Sequence, residues 1–341
     1  FHPSAMDLIR TGLQNLDDAR ANLDRLKADG VSDERLVGML KALSKACDPD
    51  CALSNFVDIT NAMQSQGRDF DAMVPDEAAL ERLITVLSVS DEMGKLMRFR
   101  PELVEAAAND ACESHLYNHE QRRAHVLKSV GADPNDHTMP TASLPLAEAA
   151  TALRKTYRKQ LAAIMAQDAT ANDPIEIQPR ISTELSDLAD AALEGALAIA
   201  RHEVDGSEHV RFAIIGMGKL GAQELNYVSD VDLIYVVEPA DMDTNGRALS
   251  RIGTKIATTL QRVCQSVIMG VAEPTLWQID GGLRPEGKDG PLVRRLESHE
   301  AYYEQWAETW EFQALLKDRP VAGDTDLGQA YMHMTRPYVW T

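Results

Sequence analysis

The stretch RFAIIGMGKLGAQELNYVSDVDLIYVV, Arg211 to Val237, constrains the chain more than any other. An apolar, β-rich run, Phe212 to Ile215, breaks at Gly216 and Gly218, crosses a short polar segment and resumes as Leu233 to Val237. Two strands joined through a glycine turn are the expected result. At the head of the second strand stand Asp230 and Asp232. Side chains two apart on a strand project to one face, so the two carboxylates repel unless a cation bridges them. Oxygen-only ligands select a hard ion, Mg²⁺ or Mn²⁺, over zinc. Glycine-turn amides beside such an ion suit a phosphoryl group. A second DxD, Asp241–Met242–Asp243, is flanked by Pro239 and Asn245–Gly246 and reads as a solvated loop.

The pattern continues downstream. Trp277–Gln278–Ile279–Asp280 reads as a further strand ending in a carboxylate, followed by GGLRPEGKDGPLVRR. Arg284 and Lys288 are candidates for neutralising phosphate, one by a planar fork and the other as a point charge. They read equally well as ordinary turn charges. Gly287 and Gly290 bracket Lys288–Asp289 in an expected hairpin turn.

Gly218–Lys219 followed by Asp230-x-Asp232 resembles the signature of the DNA polymerase β-like nucleotidyltransferases, with Lys219 where that superfamily usually has Ser. The resemblance implies a small mixed sheet and a third metal-side carboxylate, for which Asp280 is placed. Three blocks narrow it: GMGKLGAQELNYVSDVDLIYV, LRPEGKDGPLV and AYYEQWAETWEFQALLKDRPVAGD, in order over Arg211 to Asp324. Together they resemble the glutamine synthetase adenylyltransferase/adenylyl-removing family, whose members carry two such units, one removing AMP from a tyrosine of glutamine synthetase and one attaching it. Asn226 before Tyr227–Val228–Ser229–Asp230 resembles the removing, N-terminal half. The resemblance therefore implies phosphorolysis, with phosphate in and ADP out, on one or two Mg²⁺ ions (Mn²⁺ substituting) held by Asp230, Asp232 and Asp280. It implies nucleotide or phosphate contacts at Gly216, Gly218, Lys219, Ser229, Arg284, Lys288, Lys317 and Arg319, and control by a PII signalling protein. Phosphate is already ionised at neutral pH, so no strong base is needed; His209 and His299 lie outside the motifs. The attaching half, with ATP as donor, is the alternative. A nucleotide-sensing module and a small-molecule nucleotidyltransferase are the others, the last expected to lack the WEFQALLKDRP block.

Composition bounds these readings. Net charge is −19, from 34 basic and 53 acidic residues, which argues against a polynucleotide substrate, since that needs a basic groove. No apolar stretch approaches the ~20 residues that span a bilayer, and Phe1–His2–Pro3–Ser4 lacks the pattern of a signal peptide. The absence of an initiator Met is expected of a piece of a longer protein. Four scattered cysteines, Cys47, Cys51, Cys112 and Cys264, suggest a reducing, cytoplasmic setting. Cys47 and Cys51 read as ordinary thiols. Cys112, His115 and His119 share a face if helical, and read as packing residues.

The expected fold is α+β, mostly helical, with the nucleotidyltransferase sheet embedded between helical regions. Residues 1–140 read as a helical region and 141–341 as the catalytic domain with flanking helices, the boundary set by turn signals from Gly131 to Pro145. Helical periods run from Met6 to about Ala28, from Ser32, and over Cys51–Met63, Asp76–Leu87 and Glu102 to about Leu127. Leu146 to Met165 forms a helix with a basic face (Arg154, Lys155, Arg158, Lys159), and Ile181 to about His202 an Ala- and Leu-rich one. Strands are expected near Thr275–Asp280 and Pro291–Val293, with a helix over Arg247 to Ser266 between the second and third strands. Glu297 onward reads as helix, its Tyr302, Tyr303, Trp306 and Trp310 as core. Lys317 and Arg319 either meet phosphate or pair with acids such as Asp318 and Asp324.

Overall fold

A computed structural model describes residues 2–109, 117–242 and 244–340. The chain divides into two compact units, residues 1–116 with 158–178, and residues 117–157 with 179–341. The expected boundary at 140 falls inside the second unit.

The first unit is helical among its described residues, and side chains punctuate its helices. Helix Ala5–Arg10 starts with a capping box between Ser4 and Asp7. Ser32 caps Asp33–Leu43, Asp48 caps Pro49–Ser65, Asp76 caps Glu77–Val89 and Ser90 caps Asp91–Phe99. The single helix expected from Met6 to Ala28 is two: Gly12, at φ +85°, ends the first, and Asn15 caps Leu16–Ala28. The helix expected from Glu102 to Leu127 is also divided. Pro101–Ala108 is one piece, and His119–Ser129, which belongs to the second unit, is another, begun by a capping box between Asn118 and Gln121. Cys112 and His115 lie outside the described residues. Leu26, Leu36, Met39, Leu53, Phe56 and Leu83 are fully buried in one core.

The second unit holds five strands: β1 (Val210–Gly216), β2 (Val231–Pro239), β3 (Ile279–Asp280), β4 (Val293–Arg294) and β5 (Arg319–Gly323). β1 and β2 run antiparallel, Gly216 opposite Leu233 and Val210 opposite Pro239. β5 joins the other edge of β1, also antiparallel. β3 and β4 both pair parallel to β2, at successive places. The sheet is small and mixed among helices, as expected. Two strands are shorter than expected, and β5 replaces part of the helix expected after Glu297. Pro320 lacks the donor a helix interior needs, and Gly323, at φ +86°, lies against Phe212 so closely that a Cβ would stand 2.2 Å from its carbonyl oxygen.

Alternation along β1 and β2 sorts the two faces of the sheet. Ala213, Ile215, Ile234 and Val236 pack with Tyr303, Leu327 and Tyr331. On the other face helix Gly246–Gln265 buries Leu249, Ile252, Ile256, Leu260 and Val263, and Gly253 sits against Val237 and Val293. The aromatic line divides: Tyr303 is core, but Trp306 and Trp310 are 73% and 50% exposed. Their helix ends at Gln305 and a new one starts at Thr309, which breaks the period that would have buried them.

Candidate functional site

Where β2 begins, the fold gathers acids. Val231 donates its N–H to the Gln278 carbonyl at 3.0 Å, fixing the register of β2 on β3. That register sets Asp232 directly against Asp280. Asp230, two residues earlier and exposed, shares the face of Asp232. Burial, then the negative charges of Asp280 and Asp230, pushes the Asp232 carboxyl above the usual carboxylate range, and Lys219 opposes them. Three carboxylates with so little compensation are the donor set a hard divalent cation suits. Their oxygens are not all within 4.8 Å of one another, so holding one ion needs side-chain rotation. Asp280 Oδ1 also accepts the Gly282 N–H at 2.6 Å.

The glycine turn closes over Asp232. Met217 donates to the Asp232 carbonyl at 2.9 Å, and Gly218 follows at φ +54°. A Cβ on Gly218 would stand 2.5 Å from Asp232 Oδ2, so only glycine meets both the backbone conformation and the approach. Gly216 serves a different need. It lies under β5, where a Cβ would be 2.7 Å from Val321 Cγ1, and it does not line the hollow beside the aspartates.

That hollow encloses about 780 Å³, with Lys219, Ser229, Asp230, Asp232, Trp277 and Lys317 among its walls. Among the described residues Lys219 Nζ has no ion-pair or hydrogen-bond partner. Lys317 Nζ holds Glu224 Oε2 at 2.7 Å, both side chains being about half exposed. Trp277 donates its ring N–H to the Tyr157 hydroxyl at 3.1 Å and meets that ring edge-on.

The remaining expected contacts are committed elsewhere or stand apart. Arg284 binds its own loop, donating to the carbonyls of Gly281, Lys288 and Gly290. Lys288 is exposed, beside Gly282. Arg319 donates to both Asp190 oxygens at 2.6 and 3.1 Å, to Leu220 O at 3.0 Å and to Gly221 O at 3.2 Å. It ties β5 to the glycine turn and lines no part of the hollow. At Gly221 a Cβ would fall 1.7 Å from Lys317 O, so the turn and the approach to β5 touch backbone to backbone.

Sequence reasoning overlooked the anchor of this arrangement. Helix Pro174–Glu203 buries Asp190 (1% exposed) and Glu194 (5%), in line at four-residue spacing with the buried Ser182 and Ser186. Asp190 holds Arg319, and Glu194 Oε2 accepts the Gly323 N–H at 2.8 Å, so both ends of β5 hang on one helix. The available signal was an acid at positions 190 and 194 of a run of Ala and Leu, because charges are rarely buried unless paired.

Comparison with known proteins agrees with the motifs. The glutamate-ammonia ligase adenylyltransferase family profile matches residues 80–334. Over all 341 residues the chain is 74% identical to a bifunctional glutamine synthetase adenylyltransferase/adenylyl-removing enzyme of Bifidobacterium longum strain DJO10A, covering 32% of that protein. The enzyme of the same description from Cutibacterium acnes is 39% identical over 336 residues, 98% of this chain and 33% of its own length. The chain thus spans about a third of the length of the curated relatives it matches.

Proposed function

This chain belongs to the glutamate-ammonia ligase adenylyltransferase family, and from that premise we propose that it is the unit that removes AMP from an adenylylated tyrosine of glutamine synthetase. Phosphate attacks the adenylyl phosphorus, the bond to the tyrosyl oxygen breaks, ADP leaves and the phenolate takes up a proton. The observation that carries this reading is the set of carboxylates where β2 begins: Asp230 and Asp232 line an open hollow, and Asp280 stands opposite Asp232 in the neighbouring strand. Mg²⁺ or Mn²⁺ would be held by these three and would supply charge neutralisation at the phosphoryl group.

The chain's own residues do the rest. Lys219, near Asp232 but in no ion pair or hydrogen bond among the described residues, supplies a cation to an incoming phosphate, and Ser229 a hydroxyl donor. Lys317 exchanges Glu224 for the substrate's negative charge. Gly218 keeps the turn close to Asp232 and leaves room for phosphate oxygens at its backbone. Arg319 and Arg284 position the turn and the downstream loop without touching substrate. No histidine is required, which accords with His299 being fully buried away from the hollow.

The test uses adenylylated glutamine synthetase, Mg²⁺ and either phosphate or ATP with unmodified enzyme. AMP loss that depends on phosphate and releases ADP supports removal. Loss without phosphate, or label transfer from ATP only, overturns it. The second outcome would favour the attaching direction, which the same carboxylates also serve. A PII protein as controlling partner belongs to the same proposal and is tested by adding it to this assay.

A further inference from the structure

Helix His119–Ser129 starts beside the buried acids of helix Pro174–Glu203. His119 Nε2 lies 3.4 Å from Asp190 Oδ2, and one ligand atom from each of His119, Asp187 and Asp190 lies within 4.8 Å of the other two. Among the described residues no other set of three His, Cys, Asp or Glu side chains meets that spacing. We propose that His119, Asp187 and Asp190 form a second divalent-cation site, suited to Zn²⁺ rather than Mg²⁺, behind the glycine turn.

Three features support it. Bonds of about 2.0–2.2 Å at tetrahedral angles put two ligand atoms on one zinc about 3.4 Å apart, the separation already present between His119 and Asp190. Imidazole nitrogen with two carboxylates favours a borderline metal over Mg²⁺, which prefers oxygen alone. Asp190 is 1% exposed and Asp187 is half-buried.

The site has built-in outer contacts. Asp187 Oδ1 accepts from Gln223 Nε2 at 3.1 Å, and Gln223 is held at φ +57°, rare for a residue with a side chain. Asp190 reaches through Arg319 to the carbonyls of Leu220 and Gly221. An ion here therefore reaches both ends of the segment 220–223, through Asp187 at Gln223 and through Asp190 and Arg319 at Leu220 and Gly221, and its occupancy sets how firmly the glycine turn is held.

The test needs no turnover. The chain carrying Asp230→Asn and Asp232→Asn, stripped of metal, is titrated calorimetrically with Zn²⁺, so that the carboxylate floor of the hollow does not contribute. One ion should bind per chain, its X-ray absorption should show imidazole nitrogen, and amide exchange over residues 217–224 should slow. Adding His119→Ala, at the exposed start of its helix, should remove the imidazole signature and weaken binding at least tenfold; Asp187→Asn should weaken it similarly. Absence of binding, or binding indifferent to both substitutions, overturns the proposal and leaves an ion-pair network. Because activity is not read, the outcome is independent of the reaction proposed above.

Discussion

Gly221→Ala isolates the contact between the glycine turn and β5. A Cβ at 221 would stand 1.7 Å from Lys317 O, 2.5 Å from Gly216 O and 2.9 Å from Lys317 C. All three are backbone atoms, so no rotamer change relieves the overlap. The turn must retreat from residue 317 by more than 1 Å, on the order of the gap to an ordinary van der Waals contact. That retreat breaks the Arg319 bonds to Gly221 O and Leu220 O. Overpacking costs about 1–3 kcal/mol, and a hydrogen bond from a charged donor contributes about 1.5–3 kcal/mol. A destabilisation of at least about 3 kcal/mol follows. The control is Gly246→Ala at the first residue of helix Gly246–Gln265, where a Cβ meets nothing within 4 Å; it should be neutral or stabilise by up to about 1 kcal/mol. All four tryptophans, Trp277, Trp306, Trp310 and Trp340, lie in the second unit, so urea unfolding followed by Trp fluorescence reports that unit. A loss below about 1 kcal/mol for Gly221→Ala, or an equal loss for Gly246→Ala, would refute the backbone-contact argument.

Three further outcomes are expected. Asp232→Asn should lower AMP removal by at least about a thousandfold and Lys219→Ala by about ten- to a hundredfold, with little change in urea midpoint; equal activity loss from Arg284→Lys would argue against the division between contacting and positioning cations. His299, fully buried, has its pKa lowered to about 3 by burial, with Arg294 adding to it and the Tyr235 backbone opposing. It stays neutral in the fold while the unfolded chain protonates near 6.5, so stability is lost as pH falls from about 6.5 toward 3; His299→Phe should flatten that limb by a few kcal/mol, read from urea midpoints across pH. Asp318 has the opposite sign. Burial pushes it up to about 6, with Thr335 Oγ1 at 2.9 Å opposing. The fold then binds the extra proton, and stability is lost as pH rises from about 4 through 6; Asp318→Asn should remove that slope, on the order of 3 kcal/mol at most, and an unchanged profile would refute the burial argument.

The parts of this molecule that were legible in its sequence share a cause. β1, β2 and the turn between them carry the continuous apolar runs and the glycines that define them locally, and Asp232 and Asp280 stand opposite each other where those runs place them. Helix ends were less legible, because one residue decides them: Gly12 and Asn15 divide a helix that the apolar spacing runs straight through. β5 was not legible. Its five residues, RPVAG, acquire strand structure from β1 and from Glu194 and Asp190 more than 120 residues earlier, a tertiary preference no local window contains.

The same distance explains the reassignment of Arg319. From the sequence, Arg319, two residues after Lys317, reads either as a second phosphate contact or as a partner for nearby acids. In the fold its guanidinium already has four acceptors, two of them on a carboxylate that is 1% exposed. Withdrawing it toward a substrate would leave Asp190 buried and without its strongest partner, at about 3–5 kcal/mol. Phosphate offers such a cation nothing in its ordinary surroundings that would offset that loss, since an exposed ion pair contributes about 0–1 kcal/mol. Lys219, by contrast, breaks no ion pair or hydrogen bond among the described residues when it turns to an anion, and Lys317 leaves only an exposed glutamate. For the proposed reaction, the energetics divide the cations by what each would abandon: the two lysines would meet substrate at little cost, and Arg319 would stay with the turn it already holds. Arg319→Lys makes the division measurable. A lysine keeps the charge but cannot reach Asp190 and two carbonyls at once, so the reading requires lower stability with a largely unchanged KM for phosphate; a raised KM at unchanged stability would place Arg319 among the substrate contacts after all.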